Sequence, residues 1–227
     1  MILSHEHKFV FIAVPKTGST SVRRSLSKHS DYRARTSERE SEGTSLNFHS
    51  DFLTIKKYFE LQNLDISTYK TFGFSRNPWD REVSFFKYFK KFIAIYKQLD
   101  LQEKSLEIDY SFAKYCYDRK SQASDFGEFL KNRSLYRKCC FDFLYDFQND
   151  TEVDFIGSLE NFDDDLNHIF SILNLPLDRV FHTNKTSRSA GQIHYSSFYK
   201  KQQWIDLVAE VYSKDIERFN YQFEKQT

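Results

Sequence analysis

The chain has 227 residues, 40% hydrophobic and 18% aromatic, which suits one packed domain with room for a helical subdomain and excludes a disordered protein. Its 33 basic and 32 acidic residues nearly cancel, so wholesale attraction to nucleic acid is excluded and any anionic ligand must be held by a local cluster. The three cysteines, Cys116, Cys139 and Cys140, show no CxxC zinc spacing and no disulfide framework, and they suit a reducing compartment. No apolar run approaches the roughly 18–20 residues that span a bilayer, and Phe9 to Val14 is too short for a signal-peptide core. The chain therefore reads as soluble and cytoplasmic.

In chain order, Lys8 to Val14 (KFVFIAV) is a continuous apolar run of β-formers and predicts a buried, parallel strand. Pro15 to Ser21 (PKTGSTS) makes a tight turn and a helix start, with Val22 and Leu26 one helical turn apart toward the core. Residues 28–47 are polar, without period, and read as a loop ending near His49. Ser50 or Asp51 is placed to cap a helix running to about Leu61. Thr71 to Ser75 (TFGFS) predicts a second buried strand, ended by Arg76-Asn77-Pro78. Pro78 opens a helix that runs to about Lys97, with Val83, Phe86 and Ile93 on one side.

Residues 98–150 are polar and aromatic, with one helix predicted at 123–133. Val153 to Ile156 (VDFI) predicts a third strand, and Asn161 a cap for a helix carrying Phe162, Leu166, Ile169, Phe170 and Leu173. A loop, His182 to Gln192, precedes a last helix striped by Trp204, Leu207, Val208, Val211 and Tyr212. Strands alternating with helices predict an α/β fold around a parallel sheet.

Two stretches carry chemistry. A strand opening through a Gly-containing turn into a helix is an anion site, since turn amides point at the ligand and the helix end is partly positive. Here Lys16 supplies a full charge, Gly18 allows close backbone approach, and Ser19, Thr20 and Ser21 offer hydroxyls. The lysine precedes the glycine and no earlier glycine is present, so this is not a Walker A loop. The plainer alternative is an ordinary helix cap with a surface lysine. The second stretch places Arg76 at a strand's carboxyl end, on the same sheet edge as Lys16, with Ser84 on the next helix. Arginine suits bidentate phosphate recognition. Two anion subsites on one edge suit a ligand phosphorylated at both ends. The alternative for Arg76 is a pairing with Asp80 or Glu82, a structural role that Arg81 takes more naturally.

VPKTGSTS (14–21) and FSRNPWDREVSFF (74–86) resemble the 5′-phosphosulfate loop and the 3′-phosphate motif of the PAPS-dependent sulfotransferases. PAPS is 3′-phosphoadenosine 5′-phosphosulfate. The likeness is to the carbohydrate branch, with its heparan and chondroitin enzymes and bacterial relatives. DFIGSLENFDDDLNHIFSILNL (154–175) is similar to that family's third strand and following helix, and TNKTSR (183–188) sits where such proteins carry a late cofactor-contacting loop. The resemblance covers most of the chain except about 28–47 and 98–122. It implies one P-loop-like, three-layer sulfotransferase domain over 1–227, with variable acceptor-side segments at about 28–47 and 98–150.

The resemblance also implies the reaction: in-line attack of an acceptor hydroxyl, most naturally of a sugar, on the sulfur of PAPS, releasing adenosine 3′,5′-bisphosphate (PAP). No metal is required. The implied donor-site residues are Pro15, Lys16, Thr17, Gly18, Ser19, Thr20, Ser21, Arg76, Ser84, Lys185, Ser187 and Arg188, with Lys16 also stabilising the leaving oxygen. Of seven histidines, His49 takes the position of the base, with His182 and Glu160 as fallbacks; Glu160 is alternatively an orienter of Lys16 or of the base. The competing classes are a P-loop-like kinase of small molecules or nucleotides, and a non-catalytic module binding PAP or carbohydrate.

Overall fold

A computed structural model of the protein describes residues 1–33, 46–98, 110–132, 138–177, 180–181 and 193–225. The elements in chain order are β1 (Ile2–Ser4), β2 (Phe9–Ile12), α1 (Ser19–Ser25), β3 (Tyr32–Arg33), α2 (Phe52–Leu61), β4 (Lys70–Ser75) and α3 (Pro78–Gln98). Then follow α4 (Tyr110–Asp118), α5 (Phe126–Asn132), α6 (Cys140–Leu144), β5 (Tyr145–Asp146), β6 (Thr151–Glu152), β7 (Phe155–Ser158), α7 (Phe162–Ile172), α8 (Gln202–Val211) and α9 (Ser213–Phe219). Short 3₁₀ turns lie between several of them. The chain divides into two compact units. One comprises the described residues within Met1–Asn77, Lys138–Lys185 and Lys214–Tyr221, and the other those within Pro78–Arg137, Thr186–Ser213 and Gln222–Thr227.

The first unit is built on a five-stranded sheet in the order β3-β1-β2-β4-β7. The three expected strands are its parallel half, with Ile12 beside Gly73 and Ser75 beside Ser158. β1 and β3 extend it antiparallel. Alternating side chains along a strand face opposite sides, and here both sides are apolar. Phe9, Phe11, Phe72 and Phe74 pack with Val22 and Leu26 of α1 and Leu166, Ile169 and Phe170 of α7. Val10 and Ile12 pack with Phe52, Ile55 and Phe59 of α2 and Phe143 and Leu144 of α6. The result is the expected three-layer α/β arrangement of helix, sheet and helix.

Several boundaries moved for local reasons. The third strand begins at Phe155, because the Asp154 carboxylate accepts from the Thr71 amide (2.7 Å) and hydroxyl (2.9 Å) instead of continuing the ladder. Asp51, not Ser50, caps α2, accepting from the Thr54 amide. Asn161 precedes α7 but its side chain donates to Asp165 rather than capping; Asp163, Asp164 and Asp165 in the first turn complement the helix dipole.

A buried carboxylate ties the chain's end to this unit. Asp215, fully buried on α9, accepts from the first two amides of α6, Cys140 (2.7 Å) and Phe141 (2.8 Å). Removing it strands one buried and one partly buried donor, at about 1–3 kcal/mol for a fully buried one. Asp215→Ala is expected to lose about 3 kcal/mol of stability, seen as a drop of about 6–12 °C in thermal midpoint, with Asp215→Asn losing less. A midpoint within 2 °C of wild type, about 1 kcal/mol at most, would refute the tie.

The second unit is helical, with α3 as its longest element. Its core is aromatic: Phe86, Phe126 and Phe129 meet in ring contacts, and Phe126 also meets Phe198, Tyr199 and Trp204. Trp79 Nε1 donates to the Ile205 carbonyl (3.0 Å), and the Tyr199 hydroxyl donates to the Trp79 carbonyl (2.9 Å). Arg81 is buried over the Phe85 and Tyr212 rings, and the Tyr212 hydroxyl donates to Glu82. Much of the aromatic richness is therefore packing.

Candidate active site

The loop after β2 is shaped by three residues. Thr17 is buried and its hydroxyl donates back to the Val14 carbonyl (3.1 Å), closing a tight turn. Lys16 and Gly18 on either side of it are left-handed, with φ of 68° and 82°. Left-handed residues alternating with an ordinary one turn successive amides toward one point, the backbone pattern of an anion-binding nest. α1 follows at once, with Ser19 and Ser21 buried, Thr20 exposed, no side-chain cap and no acid in its first turn. The hydroxyl of Thr17 thus serves the loop itself.

Gly18 is required twice over, once by its φ and once by space. A Cβ there would lie 2.8 Å from Leu159 Cδ1 and 3.3 Å from the Phe162 ring. Gly18→Ala is expected to lose about 1–3 kcal/mol of stability from backbone strain and to weaken anion binding at the loop. Thermal unfolding together with titration of PAP checks this, and an unchanged midpoint would contradict it.

β2, β4 and β7 end on one edge of the sheet, so their three following turns are neighbours. Each pair of turns is tied. Arg76, 2% exposed, donates from Nη1 to the Lys16 carbonyl (2.9 Å). Glu160 Oε1 accepts from the Asn77 amide (2.8 Å). Leu159 and Phe162 pack on Gly18. The ring of turns is closed, and Arg76 lies beside the phosphate-type loop as its position after the strand predicted.

A partly buried polar chain joins two of these turns. The Tyr221 hydroxyl is 2.8 Å from Ser75 Oγ and 3.2 Å from Glu160 Oε2, which also accepts from Ser158 Oγ (3.0 Å). Burial, with the Glu160 charge beside it, pushes the Tyr221 phenol far above its ordinary value, so it stays protonated. Tyr221 and Ser75 were absent from the expected site. Nothing local in the sequence marks them, because their contact joins residues 146 apart.

His49 reaches the same edge. Its Nδ1 is 2.5 Å from the carbonyl of Ala13, the residue after β2. A carbonyl only accepts, so Nδ1 carries a proton, and in the neutral form of the ring Nε2 is the accepting nitrogen. Phe48 braces the ring edge-on, and the Arg23 guanidinium lies 3.9 Å over Phe48. Ser84 is buried on α3 in the second unit. Lys185, Ser187, Arg188 and the fallback base His182 lie outside the described residues.

Comparison with known families then decides the lineage: residues 1–222 match the family model described as the sulfotransferase family. The chain belongs to the sulfotransferase family. No curated protein and no solved structure matched. In this sulfotransferase the turns after β2 and β4 bring Lys16 and the buried Arg76 to one sheet edge, and His49 is hydrogen-bonded to the same edge. Among the described residues of this sulfotransferase, no group of three or more His, Cys, Asp or Glu is arranged to hold a metal ion. None of its described helices is long and apolar enough to cross a membrane.

Proposed function

We propose that this sulfotransferase moves the sulfuryl group of PAPS to a hydroxyl of a carbohydrate acceptor and releases PAP. The acceptor oxygen forms a bond to sulfur while the bond from sulfur to the bridging phosphate oxygen breaks. His49 Nε2 takes the acceptor proton. Lys16, with the amides of residues 16–18, stabilises the charge that grows on the bridging oxygen, as preorganised donors do. Pro15, Thr17, Ser19, Thr20 and Ser21 shape and line the 5′ subsite. Arg76 and Ser84 are assigned to the 3′-phosphate, and Lys185, Ser187 and Arg188 to cofactor binding. We assign the enzyme to the cytoplasm, where its three buried cysteines, none of them in a disulfide, stay reduced.

The observation that carries the reading is the convergence of His49 and Arg76 on one loop, through Ala13 O and Lys16 O respectively. The test is transfer of labelled sulfate from PAPS to a panel of glycans, phenols and hydroxylated peptides. Label on a glycan is the expected result. Label on phenols or peptides alone would overturn the carbohydrate acceptor, and PAP binding with no transfer to any member would turn the protein into a binding module.

A further inference from the structure

We infer that Glu160 is a positioning residue of the donor site, fixing the turn that carries Arg76 and, through Arg76, the conformation of Lys16. The inference rests on the donor-site reading above. Glu160 sits at the start of the turn after β7, outside both apolar cores. Its carboxylate accepts three donors: the Asn77 amide on Oε1, and the Ser158 and Tyr221 hydroxyls on Oε2. With both oxygens already accepting, it is poorly placed to act as the base, and bonds to a charged acceptor are about twice as strong as neutral ones.

Two of these donors, the Asn77 amide and the Tyr221 hydroxyl, have a common effect. Asn77 follows Arg76 and is held directly. Ser75 precedes Arg76 and is held through Tyr221 (2.8 Å). Arg76 is therefore bracketed on both sides by contacts that lead to one carboxylate. Its guanidinium in turn holds the carbonyl of Lys16, a residue at φ 68°. A non-glycine residue in that region persists only where its surroundings over-determine it, and the Arg76 bond is one such constraint. The chain of contacts runs from Glu160 through residues 75–77 to Lys16, and it requires no direct contact of Glu160 with a ligand.

The test uses the full chain as wild type, Glu160→Ala, Glu160→Gln, Arg76→Ala, the Glu160→Ala/Arg76→Ala double variant, and Phe59→Leu as a destabilised control in the core beneath α2. Two quantities are read: the PAP dissociation constant and amide hydrogen exchange across residues 14–18. Glu160→Ala is expected to weaken PAP by about ten-fold or more, the scale of one charged hydrogen bond, and to speed exchange in the loop. Glu160→Gln keeps an acceptor for the Asn77 amide and stays within about three-fold of wild type. The double variant matches Arg76→Ala alone, because a residue acting through Arg76 has nothing left to act on. Phe59→Leu lowers stability and leaves both quantities unchanged. Wild-type exchange in Glu160→Ala, or a full additive loss in the double variant, would overturn the inference. Wild-type protein that ignores PAP would remove the donor reading instead, and the exchange arm would still decide whether Glu160 holds the loop.

Discussion

His49→Ala is expected to lose turnover by about 10²–10⁴-fold, the usual contribution of a general base, while PAP affinity stays within about two-fold of wild type. The separation follows from geometry. The ring is held by its Nδ1–H on the Ala13 carbonyl and by the Phe48 edge, a frame of the kind that orients a catalytic imidazole by its second nitrogen. Protonation at Nε2 leaves that bond intact, so proton transfer requires no rearrangement. A structural histidine would also lower turnover if its loss disordered the loop. Added imidazole distinguishes the two, since it restores turnover to a site missing only a base. Unchanged turnover, or turnover lost together with PAP binding and without rescue, would remove His49 from the proton transfer.

The second large effect belongs to Lys16. Both Lys16→Ala and Lys16→Gly are expected to lower turnover by about 10²–10³-fold, the scale of one preorganised donor to a developing oxyanion. The pair separates charge from backbone. At φ 68° alanine keeps the strain of the native residue, whereas glycine adopts that conformation freely. Lys16→Gly is therefore expected to be as stable as Lys16→Ala or more so, yet equally inactive. Activity retained in Lys16→Gly would mean that the loop's shape, not the ammonium, carries the function. Thermal unfolding alongside steady-state kinetics checks both halves.

The sheet was legible where the sequence is locally decisive. KFVFIAV and TFGFS are short, β-former-rich apolar runs that suit a strand buried on both faces, and they became β2 and β4. β1 was missed because Ile2–Ser4 is too short to show a period. α4 and α6 were missed because their apolar residues are aromatic and interleaved with charge, and α6 depends on a carboxylate 75 residues away for its first amide. The site divides in the same way. Lys16, Gly18 and Arg76 announce themselves through loop chemistry after a strand. His49 was singled out through the resemblance to the sulfotransferases, but its tautomer needed the Ala13 carbonyl. Tyr221, Ser75 and the part played by Glu160 arise only when the ends of β4 and β7 lie side by side, a tertiary fact with no short-range trace.

The measurement that tests the central claim most directly is calorimetric titration of the purified protein with PAP, with ATP as control. A nucleotide site built for two phosphates predicts micromolar PAP binding, on the order of 8 kcal/mol, no comparable ATP binding, and binding weakened about ten-fold or more in both Lys16→Ala and Arg76→Ala. A well-folded sample that binds ATP and ignores PAP, or that binds PAP undiminished in both variants, would contradict the donor site and the function built on it.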